Sequence, residues 1–240
     1  MIRLYAVDVS ALSDPVLYEK CYLRCDRKRR EKADAFRNSE DKGRCIAAGL
    51  LLAYAYKKFR SEYIKELAQA NSFDYAFQMP DVVIGKNGKP EFGADDRGVF
   101  PIRFNLSHSG NMVICVMADF EVGADVQKST SVRENLVRCV FSEQEKKRLE
   151  ACGDDDALRT RAFACIWSLR EAKAKLTGRG MGQMLEERRT DSGGQEYCLW
   201  QGLLGEEYAW TVAAFAEDCV EKDVHPYVVD EGELFYEKNI

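Results

Sequence analysis

Hydrophobic positions along this chain change their spacing several times, and each change marks an element. The opening residues 1–9 alternate, which predicts a first strand with Leu4, Ala6 and Val9 turned inward. Within residues 41–59 the apolar positions recur at Ile46, Leu50, Ala53 and Tyr54, and again at Leu51 and Ala55, the spacing of a helix. Residues 112–117 and 123–126 read as strands joined by a turn at Asp119-Phe120-Glu121. Ser142 is placed to cap a helix starting at Glu143, with Glu145 at the reciprocal capping-box position. Residues 159–176 predict a longer helix, and residues 208–216, rich in aromatic and β-branched side chains, a further strand. Turn formers gather over residues 85–90 and on to 95–98, and again at 190–195, which reads as a hairpin tip between two strands.

A weak internal repeat runs through this pattern. Ala6-Val7-Asp8-Val9 resembles Gly123-Ala124-Asp125-Val126, and Arg44 and Arg161 each precede an apolar helix. Asp8 and Asp125 are 117 positions apart, and so are Arg44 and Arg161, as expected of two related α/β lobes.

Composition narrows the functional classes. The 240 residues are 46% hydrophobic and 31% charged, an ordinary globular balance. No apolar run approaches the ~20 residues of a membrane span, and the start is too short and too acidic for a signal peptide. The formal charge of −5 argues against a general nucleic-acid binder. One segment opposes that average: Arg24, Arg27, Lys28, Arg29, Arg30 and Lys32 crowd together, either as a solvated helix face or as a patch for a small anion. The nine cysteines form no Cys-x-x-Cys pair, which predicts reduced thiols in a cytoplasmic protein.

Three stretches carry candidate chemistry. In Val122-Gly123-Ala124-Asp125-Val126-Gln127, a strand would point Asp125 and Gln127 to one face, with Gly123 permitting a close approach. That is half of a Mg2+ site or simply a polar strand end. In the helix, Phe163, Trp167 and Ala174, with Ala162, Ile166 and Leu169, make a core face, and Ala164, Ser168, Glu171 and Lys175 make the adjoining stripe. Glu171 and Lys175 are either an exposed ion pair or a tuned carboxylate and cation at the edge of a core. In Phe104-Asn105-Leu106-Ser107-His108-Ser109-Gly110, hydroxyls flank one of only two histidines in an expected turn suited to phosphate oxygens. The Gly-x-Ser-x-Gly elbow of a hydrolase is absent.

In order along the chain, these pieces resemble the surfactin-type 4'-phosphopantetheinyl transferase family, part of the holo-carrier-protein synthase superfamily. The resemblance is carried by residues 29–36, 40–44, 88–90, 104–109, 123–127, 141–145, 167–175 and 178–180. The Gly-x-Asp and Trp-Ser-x-x-Glu-x-x-x-Lys motifs together are the specific part. It implies an α+β fold of two pseudo-symmetric lobes, residues 1–110 and 111–240, each a small sheet packed on helices. Coenzyme A would lie in the cleft between them. By the same resemblance Arg29, Lys32, Arg44 and His108 hold the 3'-phosphate, and Lys89 and Ser107 meet the pyrophosphate. Asp125 and Glu171 bind Mg2+ (or Mn2+), with Gln127 ligating directly or through water, and Lys175 sits by the bridging phosphates. The implied reaction is transfer of phosphopantetheine from coenzyme A to a serine of an apo acyl, peptidyl or aryl carrier protein by a monomeric enzyme. A non-catalytic coenzyme A-binding relative is the alternative. One departure stands out: the family places an acidic residue two after the aspartate, and here it is Gln127.

Overall fold

The computed structural model describes residues 1–68, 79–85, 87–93, 102–190, 196–219 and 223–236. Residues 95–98 of the first turn-rich stretch and 191–195 of the second lie outside the described residues.

Strand β1 (Ile2–Asp8) leads into helices α1 (Pro15–Arg24), α2 (Arg27–Asp34) and α3 (Ser39–Ala68). A short hairpin follows, β2 (Val82–Ile84) with β3 (Pro90–Phe92), then strands β4 (Arg103–Ser109), β5 (Met112–Ala118) and β6 (Val122–Lys128). Helices α4 (Glu134–Val140), α5 (Glu143–Glu150), α6 (Asp156–Thr177) and α7 (Met181–Thr190) precede β7 (Tyr197–Leu204), β8 (Tyr208–Phe215) and the short β9 (Pro226–Val228). The fold is therefore α+β, with helices packed on mixed sheets. Among the described residues no helix is long and apolar enough to cross a membrane.

Two sheets dominate, in the orders β4-β5-β1-β9 and β6-β8-β7. In the first, β5 lies antiparallel between β4 and β1; in the second, β8 lies antiparallel between β7 and β6. Strand, helices, then a hairpin whose second strand returns to the first strand: the same pattern occurs twice. Asp8 and Asp125 end up on equivalent strands, β1 and β6.

Packing explains why β1 and β5 are apolar on both faces. Ile2, Leu4, Ala6, Ile114 and Val116 meet Val122, Ala124, Val126, Trp210 and Val212 of the second sheet. Tyr5, Val7, Val113, Cys115 and Met117 turn the other way, onto α3. Val9 joins the α3 side, not the face that holds Leu4 and Ala6. The layers thus run α3, sheet, sheet, α6, with Ala172 and Leu176 of α6 resting on Ala213. Beyond α6, Phe163, Ile166, Trp167 and Ala174 pack on Val137, Val140, Phe141, Leu149 and Met184 from the surrounding helices. Helix α6 begins where the Asp155 side chain accepts from Leu158 N at 2.9 Å, and it ends at Gly178, whose φ of 70° suits glycine.

Three expectations change here. The boundary between residues 110 and 111 falls inside the β4–β5 hairpin, so the chain passes from one sheet to the other between Ala118 and Val122. Residues 104–109 are strand, not turn; the polar residues at 105, 107 and 109 are one face of β4. Cys198 and Cys219 are joined by a disulfide, because β7 and the segment after β8 bring their Cα atoms to 5.8 Å. The remaining cysteines are free, with Cys21, Cys25, Cys45 and Cys115 buried.

Candidate functional site

The edges of the two sheets meet at β4 and β6, and they meet through side chains. Asn105 Oδ1 accepts from Ala124 N at 2.9 Å, Ser107 Oγ from Val126 N at 3.3 Å, and Ser109 Oγ from Lys128 N at 3.0 Å. Three alternate residues of β4 therefore satisfy three alternate amides of β6.

Asp125 sits at this seam, 5% exposed. Its Oδ1 accepts from Ser107 Oγ at 2.6 Å and from Lys175 Nζ at 2.7 Å. Lys175 also donates to Ser107 Oγ at 2.9 Å. The other oxygen, Oδ2, is buried without a hydrogen-bond partner. Such an orphan is costly unless something fills it.

Gly123 allows this arrangement. A Cβ there would lie 2.1 Å from Ala172 O and 2.4 Å from Leu176 N, so the close approach inferred for this glycine is the α6 backbone itself. The strand thereby lies against the helix turn that carries Glu171 and Lys175. Burial raises the pKa of Glu171 and the nearby Asp125 charge raises it further, while Lys175 and Arg133 oppose both effects.

The stripe Ala164, Ser168 of α6 is buried against the second sheet, where Ser168 Oγ and Thr211 Oγ1 are 2.9 Å apart. Helix α6 is also anchored from its far side. Arg170, 4% exposed, pairs with Glu145 through Nε at 3.0 Å and Nη2 at 2.5 Å, and donates to Met184 O at 3.2 Å. Glu145 meanwhile completes the capping box with Ser142. This ion pair ties α5 to α6, and the sequence, which marked Glu145 only as a capping residue, did not show the pairing.

His108 is exposed on β4, yet enough protein surrounds its ring to lower its pKa by desolvation, and the Arg44 and Lys175 cations lower it further. Arg44 is held by Gly110 O at 2.9 Å and Asp41 Oδ1 at 2.5 Å. It also borders a cavity of about 470 Å³ lined by residues such as Val9, Ser10, Tyr18 and Ser39. Asp125, Ser107, Glu171, Lys175, His108 and Arg44 thus share one electrostatic neighbourhood. Lys89 stands at the head of β6, donating to Val122 O at 2.9 Å and Glu121 Oε2 at 3.1 Å. Burial favours a raised pKa for Glu121, but Lys89 and Arg103 outweigh it and lower the pKa. Arg29 lies over Gly49 of α3, and Lys32 is exposed on the last turn of α2. Gln127 follows Asp125 by two, and its amide nitrogen donates to Lys128 O at 3.2 Å, leaving its oxygen as a potential ligand.

Among the described residues, no three His, Cys, Asp or Glu side chains converge as a ready metal cluster. Two carboxylates and an amide remain, one carboxylate with a buried unpartnered oxygen, and such an all-oxygen donor set suits Mg2+. Ser107 was expected to meet the pyrophosphate, and its contact with Asp125 was not foreseen because its neighbours suggested a turn. The spacing Asn105, Ser107, Ser109 was the signal of a strand with one polar face.

Residues 121–221, which include the β6 side of this seam and α6, match the family model described as the 4'-phosphopantetheinyl transferase superfamily. The 4'-phosphopantetheinyl transferase AcpT of Salmonella typhimurium is 34% identical over 110 residues, 45% of this chain and 54% of that protein. The alignment with AcpT therefore spans about half the length of that relative. A 4'-phosphopantetheinyl transferase of Bacillus subtilis is 26% identical over 204 residues, 79% of this chain and 82% of that protein. The 4'-phosphopantetheinyl transferase Sfp of Bacillus subtilis is 27% identical over 158 residues, 66% of this chain and 62% of that protein. The aspartate strand and the Glu171–Lys175 helix meet inside the matched region, so the part of the chain that carries the site is the part that is similar to the 4'-phosphopantetheinyl transferase superfamily.

Proposed function

We propose that this chain transfers the 4'-phosphopantetheine moiety of coenzyme A to a serine hydroxyl of an apo carrier protein, releasing 3',5'-ADP. The observation that carries this reading is the buried Asp125, gripped through one oxygen by Ser107 and Lys175 and left with a second oxygen that has no partner. Asp125 and Glu171, with Gln127 directly or through water, would hold Mg2+, which would neutralise charge on the diphosphate under attack. Glu171, or a metal-linked water beside it, would take the proton from the incoming serine. Lys175 neutralises the leaving 3',5'-ADP. Arg44, His108, Arg29 and Lys32 receive the 3'-phosphate, and Lys89 the pyrophosphate side. Ser107 is given a different part from the one expected. Its single O–H is donated to Asp125, so it positions the carboxylate instead of donating to phosphate. The nucleophile belongs to the partner, which fits a site with no activated serine or cysteine of its own.

The setting is proposed to be cytoplasmic and the enzyme monomeric. The buried free thiols at Cys21, Cys25, Cys45 and Cys115 support a reducing compartment, and the Cys198–Cys219 disulfide is the observation that pulls the other way. The test is mass spectrometry of an apo carrier protein incubated with the chain, coenzyme A and Mg2+. A phosphopantetheine adduct on the carrier serine is expected. Coenzyme A binding without any adduct, across a panel of acyl, peptidyl and aryl carriers, would instead favour the non-catalytic binder.

A further inference from the structure

Asp125 already has a cation. Lys175 Nζ lies 2.7 Å from Oδ1, at the spacing of a charge-assisted hydrogen bond. Ser107 reinforces the pair. Its hydroxyl proton goes to the same Oδ1, and its lone pairs are taken by Lys175 at 2.9 Å and Val126 N at 3.3 Å. Nothing more can bind to Ser107 while Lys175 stays. Only Oδ2 is open. A divalent ion placed on Asp125 would therefore sit beside an ammonium that has the same sign of charge and the same carboxylate partner. Lys175 has somewhere to go: its side chain is 28% exposed, and its four-carbon stem is flexible.

We propose that Lys175 is a resident counter-cation that opposes metal binding, and that the diphosphate of coenzyme A draws it off Asp125, so metal and nucleotide each bind weakly alone and tightly together. This rests on the transferase reading above and adds the order in which its charges exchange partners. Coupling of this kind is reciprocal: coenzyme A tightens the metal by the factor with which the metal tightens coenzyme A. Direct ligation of the metal by the diphosphate would also couple the two ligands, but that part does not depend on Lys175.

The experiment measures Mn2+ binding to the full chain by calorimetry, alone and with saturating coenzyme A. For the wild type, coenzyme A is expected to tighten Mn2+ by about tenfold or more, within the usual range of coupling. Lys175→Gln should tighten Mn2+ in the protein alone by a similar factor and shrink the coupling. Lys175→Met, which keeps most of the stem, should do the same if the first variant folds poorly. Arg133→Gln is the control. Arg133 is exposed and its charge also reaches Glu171, but it makes no bond to Asp125. It should change Mn2+ binding by no more than about twofold, as a screened surface charge would. Equal Mn2+ affinity with and without coenzyme A in the wild type overturns the proposal. So does a Lys175 variant that binds Mn2+ no more tightly, or an Arg133 variant that tightens it as much. A chain that transfers phosphopantetheine but shows uncoupled ligands sinks this inference alone. A chain with no affinity for coenzyme A sinks the transferase reading as well.

Discussion

Replacing Gly123 by alanine tests whether β6 and α6 are in backbone contact at the site. The added carbon would lie 2.1 Å from Ala172 O, 2.4 Å from Leu176 N and 2.8 Å from Leu176 Cα, all helix backbone. No side chain can rotate away to relieve this. The two elements must part by more than about 1 Å before the closest of these contacts reaches the ordinary 3.4 Å. Overpacking of this kind costs about 3 kcal/mol, the upper end of the usual range, because both surfaces are rigid. For a chain of this size that lowers Tm by about 6–12 °C. Ala172 and Leu176 adjoin Glu171 and Lys175 in sequence, so the same movement carries both away from Asp125. A displacement near 1 Å at reacting groups costs on the order of 100-fold in rate. Thermal unfolding and the carrier-adduct assay, run on the same preparation, check both numbers. Gly182→Ala is the comparison: nothing lies within 4 Å of its added carbon, and alanine should leave Tm unchanged or raise it slightly. If Gly123→Ala melts within about 1 °C of the wild type and retains full activity, the contact is not as drawn.

Further expectations concern the metal, the anchor of α6 and the histidine. Gln127→Glu restores a negative charge beside Asp125 and should lower the Mg2+ concentration needed for half-maximal activity; an unchanged titration would remove Gln127 from the metal's surroundings. Glu145→Ala leaves the buried Arg170 guanidinium without its partner and should cost about 3–5 kcal/mol in a denaturant melt, whereas a loss below about 1 kcal/mol, the size of a surface pair, would contradict a buried anchor. His108, with its pKa held below the ordinary value, is mostly neutral at pH 7. A phosphate beside it favours the charged form and raises that pKa. Binding of coenzyme A should therefore take up protons near neutral pH, which calorimetry in two buffers of different ionisation enthalpy detects, and His108→Gln should abolish the uptake.

Much of the framework was legible from periodicity. The helix expected over 41–59 lies in the first two-thirds of α3, that over 159–176 is nearly all of α6, and the strands over 112–117 and 208–216 match β5 and β8 within a residue. The capping box at Ser142 and Glu145 was readable because its partners are three residues apart. The repeat offset of 117 was readable for the same kind of reason, since it needs only matching of one half to the other. What sequence did not expose depends on contacts between distant segments. Periodicity cannot show that β5 and β6, neighbours in the chain, enter different sheets. Nor can it pair Arg170 with Glu145, which are joined by packing across 25 residues, or Cys198 with Cys219. At the site, Asp125, Glu171 and Lys175 were visible as residue types in a pattern. The part played by Ser107 was not, because it follows from β4 lying edge to edge with β6.

A ladder of main-chain hydrogen bonds cannot be rewritten by point mutation, but the junction of β4 with β6 can. Its acceptors are Asn105, Ser107 and Ser109, three ordinary side chains, and each can be shortened, lengthened or removed while both sheets keep their own pairing. The strength of the contact between the two sheet edges is thus set residue by residue. Variation at 105 and 109 can loosen or tighten that contact without touching Asp125, while Ser107, committed to both the junction and the carboxylate, has no such freedom.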